Sequence, residues 1–185
     1  MSDTLQFLQQ RNSASKLIDP APSAAQREEI FRAALRAPDH AWLHPWRFIT
    51  IDGDRRSTFG ELLEQSLLAR DPSADEAACA KARNAPLRAP LLVVVVVKLS
   101  QHPKVPVVEQ RLSAGCAAQA ILLAAEACGF AGMWRTGGAA YDRAVMTALG
   151  LTANEEIIGF LYLGTRDGAA KTRPQLATAD FVSVW

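Results

Sequence analysis

The stretch Leu91–Lys98, with the sequence Leu-Leu-Val-Val-Val-Val-Val-Lys, decides the fold. Its first seven residues are all apolar, and five of them are β-branched valines, which favour extended backbone. Because no polar residue alternates with them, the pattern is typical of a strand that is buried on both faces. The sequence therefore predicts a central strand with other elements packed above and below it. The same run is too short to span a membrane.

Predicted helices and strands alternate around this central strand. A first strand is predicted over Phe48–Ile51 and a last core strand over Ile157–Leu163, and Val107–Cys128 has the pattern of a long helix. The other predicted elements are helices over 4–11, 24–37, 57–70, 73–83 and 141–149 and a short strand or bend over 130–134. A few strands separated by helices predict an α+β or three-layer α/β fold around one sheet, in a single domain over residues 1–185.

Two of these helices begin with a capping-box signature, in which a hydroxyl residue is followed three positions later by Glu or Gln. Ser23 with Gln26 predicts the start of one helix, and Ser73 with Glu76 predicts the start of another. Each hydroxyl is expected to accept a hydrogen bond from a backbone N–H of the first turn.

The long helix and the last residues of the chain are both unusually apolar. Most helix residues between Ala114 and Ala125 are small, no charged face is evident, and the helix is closed by Gly129. It is therefore predicted to be buried on nearly all sides, with a partner chain as one candidate for the cover. The segment Lys171–Trp185 is also predicted to be buried, against a second subunit for example, because it carries Phe181, Val182, Val184 and Trp185.

Composition and charge argue against several classes of function. The formal net charge is +1, so no global field attracts nucleic acid or an anionic membrane. Cys79, Cys116 and Cys128 have no metal-binding spacing, and Met1–Gln10 does not resemble a secretory signal. The expectation is a cytoplasmic protein with reduced thiols.

A polar cluster follows the first predicted helix. It consists of Arg11, Asn12, Ser13, Ser15 and Lys16. Two cations and two hydroxyls so close together suit a phosphate group. A polar turn at the end of a helix accounts for the same residues, and the sequence leaves both interpretations open.

The loop over residues 38–46 is rich in rings and contains three residues that can bind metals, Asp39, His40 and His44. Histidines four residues apart meet on one face of a helix, but Pro38 and Pro45 make this segment a loop. No metal site is therefore predicted. A metal-dependent hydrolase using these three residues is kept as an alternative, which metal analysis would test.

The segment Gly129–Gly138 has four glycines in ten residues. Glycines allow a backbone to come close to a ligand, and Arg135 and Thr136 can donate hydrogen bonds to it. The spacing is not that of a dinucleotide-binding fingerprint. A glycine-rich connection between a helix and a strand explains the segment equally well.

Side chains for catalysis are not evident in the sequence. Ser113 lies in a predicted helix rather than at a strained elbow, and there is no P-loop and no obvious pair of carboxylates. Polar clusters that suit an anion, without side chains for catalysis, are expected when a cofactor carries the reaction.

Several short motifs together resemble the nitroreductase family. Ala37–His40 followed by Pro45–Phe48 resembles the family's "AP" loop leading to "QPW" and a strand, and Arg11–Ser13 resembles its "R-x-S" flavin-phosphate motif. Gly129–Thr136 is similar to the segment after the family's long helix. The resemblance covers about Phe7–Leu163 and is closest to the short branch of NAD(P)H nitroreductases. Further short motifs shared with that branch begin at Ala82, Arg88, Lys104, Glu109 and Ser113.

The resemblance implies an FMN-dependent nitroreductase fold of the α+β class, with a central mixed sheet flanked by helices. It also implies an intertwined homodimer with FMN at the subunit interface. The implied flavin-binding residues are Arg11, Asn12, Ser13, Arg36, His40, Trp134, Arg135 and Thr136. The implied contacts to the nicotinamide nucleotide are Ala124, Ala125, Glu126, Ala127, Cys128 and Gly129.

Two positions depart from the family pattern. Ser15 stands where most relatives have Arg or Lys, with Lys16 next to it, and His44 stands where they have Gln. Lys171 and Arg173 resemble a basic C-terminal pair that some relatives place on the flavin phosphate.

The function implied is ping-pong hydride transfer from NAD(P)H, through FMN, to a nitroaromatic, a quinone or a similar flat acceptor. The alternative is a flavin-binding or sensing module with little turnover, which would bind FMN without oxidising NADH.

Overall fold

The computed structural model describes residues 2–185, which form one central sheet of five strands. The strands are β1 (Leu17–Ile18), β2 (Trp46–Asp52), β3 (Leu91–Lys98), β4 (Ala131–Arg135) and β5 (Glu155–Arg166). The α-helices are α1 (Asp3–Gln10), α2 (Ala24–Ala34), α3 (Arg55–Arg70), α4 (Glu76–Arg83), α5 (Val107–Ala127) and α6 (Arg143–Ala148). The predicted α+β class is confirmed.

Strand β5 occupies the middle of the sheet. β3 pairs with it from Leu91 opposite Leu163 to Lys98 opposite Glu155. β4 pairs with the overlapping part of β5 that ends at Gly164, so β3 and β4 lie along opposite edges of β5. β2 continues the sheet outside β3, and β1 pairs with the last two residues of β5.

The expectation of a mixed sheet is wrong for residues 2–185, because every strand pairing among them is antiparallel. The connection between β2 and β3 gives the physical reason for their pairing. It contains two helices, α3 and α4, which pack against each other and carry the chain out and back to the end of the sheet that it left. A strand that begins at that end runs antiparallel to β2.

Strand β3 is buried on both faces, as predicted: each residue of Leu91–Val97 is 1% exposed or less. Successive side chains of a strand point to opposite faces. Leu92, Val94 and Val96 pack in a core with residues of α3 and α6. The alternate residues of β3, from Leu91 to Val97, pack in a second core with α2 and α5. The sheet therefore lies between two helical layers.

Helix α5 packs against the sheet with one face only. Its fully buried residues include Ala114, Ala117, Ala118, Ile121 and Ala125. The opposite face leaves four residues exposed at helical spacing, here called the α5 stripe: Val108, Leu112, Cys116 and Gln119. The prediction of burial on nearly all sides is therefore wrong for the single chain. Small residues bring α5 close to the sheet and to α2, and the α5 stripe stays in water.

Local hydrogen bonds determine where helices α2 and α4 begin and end. Ser23 and Gln26 form the predicted capping box at the start of α2. Ser73, in contrast, does not cap α4, because the Asp75 carboxylate lies closer and accepts from the Ala78 backbone N–H at 2.8 Å. Helix α2 ends at Ala34, three residues before its predicted end, and a tight turn leads to the proline that follows.

The C-terminal segment Lys171–Trp185 lies exposed, so the prediction that it is buried is wrong within one chain. Phe181 is 71% exposed and Val184 is 99% exposed. Its regular structure is limited to a short 3-10 turn over Thr178–Asp180. None of the helices in residues 2–185 is long and apolar enough to cross a membrane.

An ion pair with a buried carboxylate joins β2 to the start of β5. Arg47 donates from Nε and Nη2 to the two carboxylate oxygens of Glu155, at 2.6 and 3.0 Å. The Glu155 side chain is 6% exposed and also accepts from the Thr152 backbone N–H at 2.9 Å. The hydrogen bonds from Arg47 lower the pKa of Glu155 to about 2, against the opposing effect of burial.

Glu155→Gln is expected to lower the free energy of unfolding by about 2 kcal/mol at pH 7, because it leaves Arg47 without its charged partner. The pKa of Glu155 is lower in the folded state, so its contribution is complete above an unfolded-state pKa of roughly 4.3. That contribution is lost as the pH falls towards 2. The stability difference between wild type and variant should therefore shrink over this interval, as measured by urea unfolding at several pH values.

Glu156→Gln is the matched control. Glu156 pairs with Arg111 at 2.8 Å, but the Glu156 side chain is 39% exposed, against 6% for Glu155. Its loss should stay below about 1 kcal/mol, the range measured for exposed ion pairs. Equal losses in the two variants would contradict the role given to the buried carboxylate of Glu155.

Candidate functional site

The polar cluster after α1 is held by the far end of the chain. Arg11 Nη1 donates to Ser13 Oγ at 3.3 Å, and Asn12 Nδ2 donates to the backbone oxygen of Lys171 at 2.6 Å. Asn12 Oδ1 is buried and has no hydrogen-bond partner among residues 2–185. An unsatisfied buried acceptor costs free energy, so a ligand that donates a hydrogen bond here would be bound favourably.

Basic residues from the end of the chain converge on this cluster. Arg166 Nη2 donates to the backbone oxygen of Asn12 at 2.9 Å, and Arg173 donates to the backbone oxygen of Gln9. Asn12, Lys171 and Arg173 line one cavity of about 560 Å³. The structure therefore brings the C-terminal basic pair to the N-terminal cluster.

Arg36 and His40 lie elsewhere, in and beside the loop between α2 and β2. Arg36 lines a separate cavity of about 320 Å³ together with Asp39, Trp42 and His44. His40 Nδ1 is 2.7 Å from Glu109 Oε2, at the start of α5. Neither residue lines the cavity that contains Asn12. One chain by itself does not bring these two groups of predicted site residues together.

The backbone of this loop is strained. Ala41, Trp42 and His44 have positive φ angles of 62°, 55° and 47°, a region that costs L-residues roughly 1–2 kcal/mol each. The Asp39 carboxylate holds the loop: its Oδ2 accepts a hydrogen bond from the His44 backbone N–H at 2.7 Å and lies 3.0 Å from the His44 ring Nδ1. The Trp42 side chain consequently projects into water, 83% exposed.

The three possible metal ligands of this loop do not form a common site. His44 is paired with Asp39, and His40 is paired with Glu109 instead. Across residues 2–185, no three His, Cys, Asp or Glu side chains come together as metal ligands.

The glycine-rich segment distributes its side chains over both faces of the sheet. Trp134 and Arg135 are neighbours in β4, so their side chains point in opposite directions. The Trp134 ring packs in the core with α2 and α5, over Gly159, where a Cβ atom would lie 2.1 Å from the indole Nε1. Arg135 lies on the other face, 5.6 Å from the centre of the Tyr162 ring. Of the two side chains, only Arg135 lines the cavity on its face of the sheet, and the flavin contact of Trp134 stays a prediction.

Arg135 and Thr136 line a cavity of about 610 Å³. Small-molecule sites commonly have roughly 300–1,000 Å³, so this space suits a cofactor or substrate. Its apolar wall includes Phe59, Leu63, Phe160 and Tyr162. Burial raises the pKa of Tyr162, while Arg135 and Arg88 act in the opposite direction. A flat ring would find an apolar surface here with cations at its edge.

Sequence reasoning missed much of this cavity. The cations that line it are Arg70, Lys81, Arg88 and Arg135, from four different elements of the chain. Only the last was predicted as a site residue. Arg88 stands in a stretch that resembles the family, but no spacing along the chain indicates that Arg70 and Lys81 meet it in space.

The segment Ala124–Gly129, which the resemblance assigns to the nicotinamide nucleotide, forms the C-terminal end of α5. Ala125 is fully buried, and the helix closes with the Phe130 backbone N–H bonded to the Ala125 oxygen. The C-terminal end of a helix carries partial negative charge, which disfavours a diphosphate. This assignment stays a prediction, and the local structure offers little to support it.

Comparisons with known proteins agree with this architecture. The model described as "Nitroreductase family" matches residues 8–165. The chain is 46% identical over 170 residues to the Escherichia coli K12 protein named "Putative NAD(P)H nitroreductase YdjA", with 92% of each chain covered. A nitroreductase-like family protein from Bacillus cereus superposes with a TM-score of 0.84 at 21% identity, over 100% of this chain and 97% of that one. A nitroreductase with bound FMN from Bacteroides fragilis gives 0.76 at 21% identity, over 100% of both chains.

These matches first define the class of the protein, which is an oxidoreductase. Within that class the chain belongs to the nitroreductase family, because the family model covers most of its length and a relative of nearly equal length is 46% identical. The family predicted from Ala37–His40 and Pro45–Phe48 is confirmed.

Gly159→Ala is expected to destabilise the protein by about 1–3 kcal/mol, because the added methyl group would overlap the Trp134 ring in a packed core. Thermal unfolding and the Trp134 fluorescence, isolated in a variant without the other tryptophans, measure the effect. Gly115→Ala is the control, since its Cβ atom would lie 3.9 Å from the same ring and alanine favours the helix. A stable Gly159→Ala protein with unchanged fluorescence would contradict this position of the ring.

Proposed function

We propose that this protein is an FMN-dependent oxidoreductase that uses NAD(P)H to reduce nitroaromatic, quinone or similar flat acceptors by ping-pong hydride transfer. The observation that carries the proposal is the buried, unpaired Asn12 Oδ1 in a cluster of basic and hydroxyl side chains. The names of the similar proteins support it: one includes NAD(P)H nitroreductase, and another describes bound FMN.

The residues around Asn12 fit the polar part of FMN. Arg11, Lys171 and Arg173 supply positive charge for a phosphate, and Ser13 adds a hydroxyl. Asn12 Oδ1 can accept a hydrogen bond from a hydroxyl of the ribityl chain, which would satisfy the buried oxygen. The buried Asn12 oxygen needs a hydrogen-bond donor, and the ribityl chain of FMN carries such donors.

The cavity beside Arg135 fits the flavin ring. Ala14 and Leu17, just after the polar cluster, belong to the same core as Phe160 and Tyr162, which line that cavity. The Ala14 backbone N–H also donates to the Gly132 oxygen in β4 at 3.0 Å, and β4 leads directly to Arg135. Phosphate and ring would therefore lie along one face of the sheet.

Bound FMN would supply the hydride chemistry, taking a hydride from NAD(P)H and passing it to the acceptor. The chain contributes position and electrostatics. Arg88 and Arg135, at the wall of the cavity, would offset the negative charge that develops on the reduced ring. Phe59 and Phe160 would exclude water from one side of the ring, which strengthens that interaction.

We propose further that the enzyme works as an intertwined homodimer with FMN at the subunit interface. Arg36 and His40 do not reach the cavity of Asn12 in their own chain, so in this proposal they act on the flavin of the partner. The α5 stripe and the exposed apolar residues of Lys171–Trp185 are the surfaces that a second chain would cover. In this assembly the partner chain would cover the α5 stripe and the apolar residues of Lys171–Trp185, and the fold of each chain would stay the same.

The purified protein is expected to be yellow, or to become so with added FMN, and NADH should bleach the flavin absorption under anaerobic conditions. Initial rates with NADH and menadione should give parallel double-reciprocal lines. A protein that stays colourless with FMN would contradict the proposal, and bound FMN without NADH oxidation would indicate a sensing module.

Arg11→Gln should weaken FMN binding about tenfold or more, since it removes a charge-assisted bond. Arg32→Gln is the control, because Arg32 is exposed on α2 and pairs with Glu28 and Glu29.

The dimer is tested by light scattering, which should give twice the 20.0 kDa mass of one chain. Leu112→Glu places a charge in the α5 stripe and should shift the protein towards monomer, with loss of bound FMN. Leu68→Glu changes a leucine that is 39% exposed on α3, outside both proposed interface surfaces, and should leave the mass unchanged. A monomeric wild-type protein that binds FMN fully would rule out the interface site.

A further inference from the structure

The walls of the cavity beside Arg135 are electrostatically one-sided. Arg70, Lys81, Arg88 and Arg135 line it, and no carboxylate does. This imbalance is local, because the whole chain has a formal net charge of only +1. The charges of Arg88 and Arg135 both lower the pKa of Tyr162, which lies in the sheet on the side of the cavity where the proposed function places the flavin ring. Arg70 and Lys81 stand on the helical wall formed by α3 and α4, and the proposed function gives neither of them a role.

The Arg70 guanidinium is fixed in orientation by its own neighbourhood. Its Nε donates to the backbone oxygen of Ser66 at 3.1 Å and lies 3.4 Å from Asp142 Oδ2. Its Nη2 donates to Ser66 Oγ at 3.4 Å, and that hydroxyl in turn donates to Asp142. One side of the side chain is therefore fully engaged with the protein.

The other end of the guanidinium remains available. Nη1 lies against Gly138, where a Cβ atom would come within 2.2 Å of it, so the absence of a side chain at Gly138 gives Arg70 its place. Nη1 has no acceptor among residues 2–185 in the hydrogen bonds of the structure. Lys81 lines the same cavity from α4, is exposed, and forms no ion pair within the described chain. A held guanidinium with a free N–H edge and a nearby ammonium group suit a carboxylate or a phosphate.

We infer that Arg70 and Lys81 bind an anionic group of a reactant that enters this cavity. The inference rests on the proposed function, and it names the preferred acceptor as a flat aromatic ring that carries a carboxylate. The other source of the same chemistry is the 2′-phosphate of NADPH. In both cases the cations would orient the reactant and leave the redox step itself unchanged.

The test compares acids with neutral molecules of the same shape. In the holoenzyme, kcat/KM is measured for 4-nitrobenzoate and its methyl ester, and for NADPH and NADH. The ratio of acid to ester should fall about tenfold or more in Arg70→Gln and in Lys81→Gln, as expected for loss of a charge-assisted hydrogen bond. Arg70→Lys should keep part of the ratio. Lys98→Gln, at the exposed end of β3, is the control and should leave it unchanged.

An equilibrium measurement makes the result independent of turnover. Benzoate should bind the wild-type protein at least tenfold more tightly than benzamide, by calorimetry, and Lys81→Gln should remove most of this preference. Lys81 is exposed, so this variant also serves if Arg70→Gln does not fold. If the protein does not bind FMN or oxidise NADH, the proposed function fails, and the benzoate titration still tests the anion site.

Each outcome decides between the sources or against the site. A fall in the acid-to-ester ratio alone assigns the site to the acceptor, and a fall in the NADPH-to-NADH ratio alone assigns it to the nucleotide. The inference is overturned if both ratios stay constant in the two variants. It is also overturned if the variants lose FMN affinity instead, since the cations would then serve the cofactor.

Discussion

Removal of seven consecutive residues of β3 from water is the constraint on which the rest of the structure depends. Residues Leu91–Val97 are 1% exposed or less, so both faces of the strand need a covering layer. Burial of such a strand contributes on the order of 1.5–3 kcal/mol per large apolar side chain, but only when both layers are in place. Helices α3 and α6 provide one layer and α2 and α5 provide the other. The three-layer architecture follows from this single stretch.

The same constraint sets the position of the candidate sites. Polar groups cannot be placed against β3, so they lie at the ends of β4 and β5 and in the loops beyond. Arg135 reaches its cavity from the last residue of β4, and Arg166, which bonds Asn12, is the last residue of β5. The sheet therefore holds the ends of two strands, and two of the candidate ligand-binding groups are attached to those ends.

Structural features that depend on neighbouring residues could be predicted from the sequence, whereas contacts between distant segments could not. The β3 strand follows from its composition, and the capping box of α2 follows from two residues three positions apart. The cap of α4 was misassigned because the sequence cannot show that Asp75, rather than Ser73, would occupy the N-cap position. The antiparallel pairing of β2 and β3 depends on how α3 and α4 pack against each other, and the sequence of neither helix indicates that packing.

The site shows the same division. Arg11, Asn12 and Ser13 are adjacent and were found as a cluster, but the pairing of Asn12 with Lys171 joins residues 159 positions apart. Trp134 and Arg135 were predicted together because they are neighbours in sequence, and the pleat of β4 separates them. Resemblance to a family supplied the link between distant segments that the physics of single segments could not.

The loop with Ala41, Trp42 and His44 in left-handed backbone conformation bears on any attempt to engineer this protein. Glycine adopts such angles without steric cost, so this loop is where replacements would most readily raise thermal stability. It is also where they would be most hazardous. The strain at these three residues is held in place by the hydrogen bond to Asp39. A variant with a relaxed loop would be more stable, but it would lose the loop conformation that this strain maintains.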